Sequence, residues 1–259
     1  MTSLAFTRVV LIVEYDGGRY HGSQYQVGLL TVQAEIERSI CRLTGERCRV
    51  ATASRTDAGV HARAQVVSFL TGSDLPEQTF VEGMNYYLPP DIAVKRAYRV
   101  PFSLDVRRDA LSREYRYCIL NNCARSPLWR GYAYLVKGKL DTEVMSEACQ
   151  LLLGKHDFAS FASRVGEDKK VTVRCVYRAS LERKGELVIF DMKANSFLPH
   201  QVRNTVGLLI RLGLGRMNIS EFCSIIEARI PGLAGPAAPA CGLYLLGVNY
   251  PVSLGGDRK

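Results

Sequence analysis

The apolar residues of this chain come in short runs, and that restricts what it can fold into more than any other feature. The longest purely aliphatic run near the start is Val9 to Val13, ended by Glu14. The apolar stretch Val206 to Leu214 is interrupted by Arg211. Neither approaches the roughly 20 apolar residues a helix needs to cross a bilayer. The N-terminal residues lack a basic segment followed by a long apolar stretch and a small-residue cleavage site, so no signal peptide is expected. Runs of this length build strands and one-sided helices instead.

The order of those runs predicts the fold class. Val9 to Tyr15 reads as a buried strand ended by Asp16-Gly17-Gly18. Thr31 is placed to cap a helix in which Val32, Ile36, Ile40 and Leu43 recur at helical spacing, and Gly45 stops it. Cys48 to Ala53 and Ala64 to Leu70 read as strands flanking the loop Ser54 to Arg63. Thr79 to Leu88 reads as helix, ended by Pro89-Pro90, and Ile92 to Arg99 as strand.

Arg113 to Leu120 has strand propensity, with Arg113, Tyr115 and Tyr117 on one face. Asp141 is placed to cap a helix that Gly154 ends. Val171 to Glu182 and Glu186 to Ala194 read as a hairpin around Lys184-Gly185. Pro199 is expected to open a helix to about Leu212, and Ser220 to cap another that ends before Pro231. Gly232 to Pro239 reads as a loop, and Gly242 to Tyr250 as a last strand.

This is an α+β pattern without the regular alternation of a parallel fold. It predicts a mixed, mainly antiparallel central sheet with flanking helices. A boundary near Pro101 to Leu104 divides residues 1–104 from 105–259, two halves of similar content.

Charge adds a hint about partners. Among 259 residues, 34 Lys and Arg stand against 25 Asp and Glu, a formal charge of +9. Such a surplus attracts polyanions, and it also keeps a protein soluble; charge alone leaves both readings open. The eight cysteines, at 41, 48, 118, 123, 149, 175, 223 and 241, lie in apolar segments without a C-x-x-C pair. They read as reduced, mostly core residues of a cytosolic protein. His21, His61, His156 and His200 lack ligand spacing to them, so no metal is expected.

The densest chemistry lies in Ala53-Ser54-Arg55-Thr56-Asp57-Ala58-Gly59-Val60-His61-Ala62, between two expected strands. A loop held by a rigid sheet is a common place for catalytic side chains. Asp57 can act as a nucleophile or a general base. Asp-Ala-Gly is also ordinary turn chemistry, and local composition does not choose between the two.

The segment Arg55 to Ala62 resembles the active-site motif of the TruA family of tRNA pseudouridine synthases. The resemblance extends along the chain. Tyr15-Asp16-Gly17 with Tyr20, Gly22 and Gln24 is similar to the family's N-terminal motif, and Thr31-Val32-Gln33 to the opening of its first helix. Asn85, Leu88-Pro89 and Asp91-Ile92 follow. Arg113-Glu114-Tyr115-Arg116-Tyr117 resembles the second core motif, and Gly154-Lys155-His156-Asp157-Phe158 comes next. Ala194 to Leu198 and Val202-Arg203-Asn204 resemble the third. Ala234-Gly235-Pro236, Ala238-Pro239 and Gly242 to Leu245 close the series.

There are departures from the family pattern. Ser54 stands where the family usually has Gly, Ser23 where it has Trp, and Arg108-Asp109 where it has an aromatic and a small residue. Leu198-Pro199-His200-Gln201 precedes Val202-Arg203, where His-His-Met is more usual.

The resemblance implies a function: isomerisation of uridine to pseudouridine at positions 38, 39 and 40 of the tRNA anticodon stem-loop. The family's catalytic aspartate falls on Asp57, as nucleophile or base. Its active-site tyrosine falls on Tyr115, where a ring can stack on uracil. Its third-motif arginine falls on Arg203, whose guanidinium would hold the carboxylate charged. The motif arginine at Arg55 would fill the place of an extruded base. His61, Arg113 and Arg116 are weaker candidates for RNA contact. The resemblance further implies no cofactor, a homodimer, and tRNA held in a basic cleft by phosphate contacts.

Three other readings compete. A non-catalytic RNA-binding relative would lack the carboxylate, which is present at Asp57. A hydrolase built from Ser54, His61 and Asp57 would need a G-x-S-x-G elbow, which is absent. A synthase acting on another RNA position is the reading that sequence separates least well.

Overall fold

The computed structural model describes residues 6–163, 172–251 and 254. By internal contacts the chain forms two compact units: the described residues of Met1–Leu111 with Leu245–Lys259, and those of Ser112–Tyr244. The sequence reading drew one boundary near Leu104. By contacts, the last strand belongs largely with the first unit, an association between distant segments that no local signal carries.

In the first unit, β1 (Thr7–Tyr15) lies between β3 (His61–Thr71) and β4 (Ile92–Val100), antiparallel to both. The two-residue strand β2 (Ala51–Thr52) pairs antiparallel with β3. From Leu245 onward, the last strand β10 (Leu243–Asn249) continues this sheet beside β3. Val9, Val10, Leu11 and Val13 are fully buried, so the run that sequence marked as strand is core.

Two helices accompany that sheet. Helix α1 (Val32–Thr44) begins where Thr31 Oγ1 accepts the Ala34 N–H, and it stops at Gly45, whose φ of 76° is left-handed. Its buried residues, Val32, Ile36 and Ile40 among them, recur at the expected spacing. Helix α2 (Glu77–Tyr87) ends at the Leu88-Pro89 boundary.

In the second unit, β5 (Ser112–Asn121), β9 (Leu187–Ala194), β8 (Val173–Lys184) and β7 (Gly154–Asp157) form an antiparallel sheet in that order. The short β6 (Tyr134–Val136) runs parallel to β5 at its edge. The predicted hairpin is β8 and β9 around Gly185; Val171, where its expectation began, lies outside the described residues. Helices α3 (Thr142–Gln150), α4 (Gln201–Gly213) and α5 (Ile219–Ala228) complete the five α-helices among the described residues. The α+β class and the mainly antiparallel sheet are as expected.

At three helix boundaries the capping or ending residue differs from expectation. Gly154 does not end α3; the helix closes at Gln150 and Gly154 opens β7 with φ at 92°. Pro199 lies outside α4, because His200 adopts a left-handed φ of 61° before the helix starts at Gln201. Asn218, not Ser220, caps α5: its side chain accepts the Glu221 N–H while the Glu221 carboxylate accepts the Asn218 N–H. The reciprocal pair satisfies two donors at once, which Ser220 placed two residues later cannot do.

Candidate active site

The loop that carries Asp57 runs between β2 and β3, and five residues of the first unit hold it from beneath. Gln65 on β3 reads Ser54 twice: its Nε2 donates to Ser54 O at 2.7 Å and its Oε1 accepts Ser54 N–H at 3.3 Å. Ser23 reads Thr56 in the same two-sided way. Its N–H donates to Thr56 O at 3.0 Å and its Oγ accepts Thr56 N–H at 2.8 Å. The Tyr15 hydroxyl, at the end of β1, hydrogen-bonds Thr56 Oγ1 at 2.7 Å. Burial pushes the Tyr15 pKa up, so this hydroxyl keeps its proton.

Two glycines bring the backbone close enough for this. A Cβ on Gly17 would lie 2.0 Å from Val60 O. Gly22 has φ at 93°, and a Cβ there would lie 3.0 Å from Thr56 O. Both belong to the N-terminal motif, so that motif and the aspartate loop form one packed body.

Within the loop, Asp57 O accepts the Val60 N–H at 3.2 Å, closing a turn in which Gly59 is left-handed with φ at 80°. Thr56 and Val60 point inward and are buried, Arg55 and Ala58 are exposed, and Asp57 is half-buried. An exposed arginine two residues before a half-buried aspartate gives the loop a cation that can meet a phosphate and a carboxylate that can act as nucleophile or base.

His61 is 2% exposed, which puts it in the scaffold rather than on the surface. Gly17 N–H donates to its Nδ1 at 3.1 Å, and Asp16 Oδ1 lies 3.0 Å from the same nitrogen. The two contacts compete, since Nδ1 accepts in the first and must donate in the second. Either one ties the ring to the Asp16-Gly17 turn.

The remaining candidates lie in the second unit. Tyr115 on β5 is buried and packs edge-to-face on Phe197, with ring centroids 5.2 Å apart at 89°. Arg113, two residues earlier on the same face, is also buried, and its Nη1 donates to Asn195 O at 2.9 Å. Arg116 faces the other way. It grips Asp191 of β9 with Nε at 2.8 Å and Nη2 at 2.9 Å. Both arginines therefore brace the strand that presents Tyr115.

Arg203 sits in the first turn of α4 and is held by the Pro/Gly/Ala loop. Its Nε donates to Ala238 O at 2.8 Å, and its own carbonyl accepts the Ala238 N–H at 2.9 Å. The loop can come so near because α4 carries Gly207, where a Cβ would lie 2.3 Å from Pro236 O. The same loop takes the Tyr117 hydroxyl, which donates to Pro239 O at 2.7 Å. A glycine, a loop carbonyl and an arginine thus act together, far apart in sequence.

With this geometry in view, the likeness to known proteins has residues to refer to. The family model described as tRNA pseudouridine synthase matches residues 11–107 and 148–251. The chain belongs to that family. The match takes in the Asp57 loop, its bracing residues and Arg203; it leaves out residues 108–147, in which Tyr115 lies.

Individual members are similar over nearly their whole length. A tRNA pseudouridine synthase A of Acetivibrio thermocellus is 44% identical over 93% of this chain and 99% of that protein. Another, from Pseudoalteromonas atlantica, is 41% identical over 94% of this chain and 92% of its own. A third, from Methylacidiphilum infernorum, is 40% identical over 96% and 98% respectively. Among solved structures, a chain of a Cbf5-Nop10-Gar1 complex is 13% identical, with a TM-score of 0.39 over 79% of this chain and 45% of that one.

Asp57, Arg55, Tyr115 and Arg203 are candidates by residue type and motif; what holds them is not visible in the sequence. Ser23, Gln65, Phe197 and Ala238 carry no chemical signature of their own. Their roles arise from backbone groups presented by distant segments. The departures also acquire a place. Ser54 offers its backbone to Gln65, Ser23 holds Thr56, and Arg108 is an exposed residue whose N–H donates to Asp105 Oδ1 at 3.0 Å.

Proposed function

We propose that this protein isomerises uridine to pseudouridine in the anticodon stem-loop of tRNA, at positions 38, 39 and 40. The observation that carries the reading is a half-buried aspartate, Asp57, on a loop hydrogen-bonded by Gln65, Ser23 and Tyr15, in a chain that belongs to the tRNA pseudouridine synthase family. Preorganisation of this kind is what a reacting carboxylate requires.

In the reaction the C1′–N1 bond breaks, the uracil turns while bound, and a C1′–C5 bond forms. The C5 proton is lost and N1 gains one, so atoms balance with no donor or oxidant. Asp57 serves either as nucleophile toward the ribose or as base toward its 2′ proton. Arg203 keeps the carboxylate ionised, and Tyr115 stacks on the uracil. Arg55, exposed beside Asp57, fills the gap left by the extruded base. His61, Arg113 and Arg116 act through the scaffold, with any RNA contact secondary to that.

The charge of +9 supports a phosphate-gripping surface, and the family resemblance is the ground for reading the protein as a cytoplasmic homodimer. The experiment is incubation of the purified protein with unmodified tRNA, followed by mapping of pseudouridine. Conversion at 38 to 40 is the expected result. Conversion elsewhere would move the target, and no conversion in any tRNA would overturn the reading.

A further inference from the structure

Ser23 uses every hydrogen-bonding group it has. It is 1% exposed. Its carbonyl accepts the Gln33 N–H of the first turn of α1 at 3.0 Å. Its N–H donates to Thr56 O at 3.0 Å, and its Oγ accepts Thr56 N–H at 2.8 Å while lying 3.4 Å from Thr56 O. Thr56 immediately precedes Asp57.

The consequence follows from peptide planarity. Thr56 N–H belongs to the peptide plane before Thr56, and Thr56 O to the plane shared with Asp57. Gripping both planes leaves the backbone no freedom at Thr56. The second plane runs through the Asp57 nitrogen to its Cα, and the Asp57 carbonyl is held in turn by the Val60 N–H at 3.2 Å, so the bonds on both sides of the Asp57 side chain are fixed. The Tyr15 hydroxyl holds the Thr56 side chain at the same time, which blocks compensation by rotation.

We propose that Ser23 is a positioning residue for Asp57: its hydroxyl aims the carboxylate by fixing the peptide planes that lead into it. The proposal rests on Asp57 being the reacting carboxylate. Because Ser23 is buried beneath the loop, its hydroxyl acts on the chemical step and not on substrate capture. Loss of the hydroxyl leaves Thr56 N–H without that acceptor, while the backbone bond from Ser23 N–H to Thr56 O survives. The loop then stays in place with a looser aim.

The test is steady-state pseudouridine formation on tRNA, below the unfolding temperature of every variant used. Ser23→Ala is expected to lower kcat by about 10- to 100-fold, since a misplacement of around 1 Å costs that much, with KM within about twofold. Ser23→Thr and Ser23→Val form a second comparison, equal in shape and different only in the hydroxyl. Thr is expected to retain at least about tenfold more kcat than Val. Unchanged kcat in folded Ser23→Ala, or equal losses in Thr and Val, would overturn the proposal. An inactive unsubstituted protein would instead overturn the function on which it rests.

Discussion

Gly17 and Val60 touch backbone to backbone: a Cβ added to Gly17 would stand 2.0 Å from the Val60 carbonyl oxygen and 2.6 Å from its carbon. The atom in the way is main chain, which cannot swing aside as a side-chain end can. Gly17→Ala should therefore push the Asp57 loop away from β1, destabilising the fold by about 2 kcal/mol, as overpacking does. Activity should fall further than stability, because the displaced loop carries Asp57. Thermal unfolding and pseudouridine formation, measured together, check this; an alanine variant of unchanged activity would show that the loop tolerates the shift.

Removing the carboxylate separates chemistry from binding. Asp57→Ala should abolish pseudouridine formation and leave tRNA affinity within about tenfold (~1.4 kcal/mol). The reason is that phosphate contacts, not one loop carboxylate, dominate affinity for RNA. Filter binding and product mapping on the same preparation measure the two effects.

The cap of α5 offers a test of local structure. Asn218→Ala removes the acceptor for Glu221 N–H and should cost about 1 kcal/mol. Ser220→Ala should be neutral to within about 0.5 kcal/mol, since Ser220 is an exposed residue inside the first turn. Denaturant midpoints of the two variants distinguish the capping residue from its neighbour.

Alkaline pH should weaken the fold, through thiols and phenols alike. Burial raises Cys118 from 9.0 to about 11, against a smaller lowering by Arg116, and raises Cys149 to about 12. Burial also raises Tyr15 and Tyr117. Each group has a folded pKa above its unfolded one, so the unfolded chain releases protons first as pH rises. The stabilisation is complete below pH 9 and is lost progressively between 9 and about 12. Melting temperatures across that range should fall, and Cys149→Ala should make the fall shallower. The same raised values predict that an alkylating reagent near neutral pH labels exposed Cys123 well before Cys118 or Cys149.

How much of this was legible beforehand depends on the range of the interaction. Helix α1 was readable to its ends, because Thr31 and Gly45 act within one turn of the residues they cap. The cap of α5 was misplaced by two residues, because Asn and Ser are both good caps and only the reciprocal Glu221 bond separates them. The start of α4 lies past Pro199, because His200 takes a left-handed backbone, a conformation that histidine tolerates better than most residues but that is still too uncommon to be read from the residue type.

The sequence by itself determined most of the strand and helix order, the family, and which side chains are candidates for the chemistry: Asp57, Arg55, Tyr115 and Arg203. These rest on side-chain type and short-range periodicity, which the chain carries openly. Only the tertiary structure decided that Ser23 and Gln65 grip the loop by its backbone, that Ala238 holds Arg203, and that Arg116 is occupied by Asp191. Every residue has a backbone C=O and, proline apart, an N–H as well. Which of them meet is set by packing of segments tens of residues apart, and no local pattern encodes that.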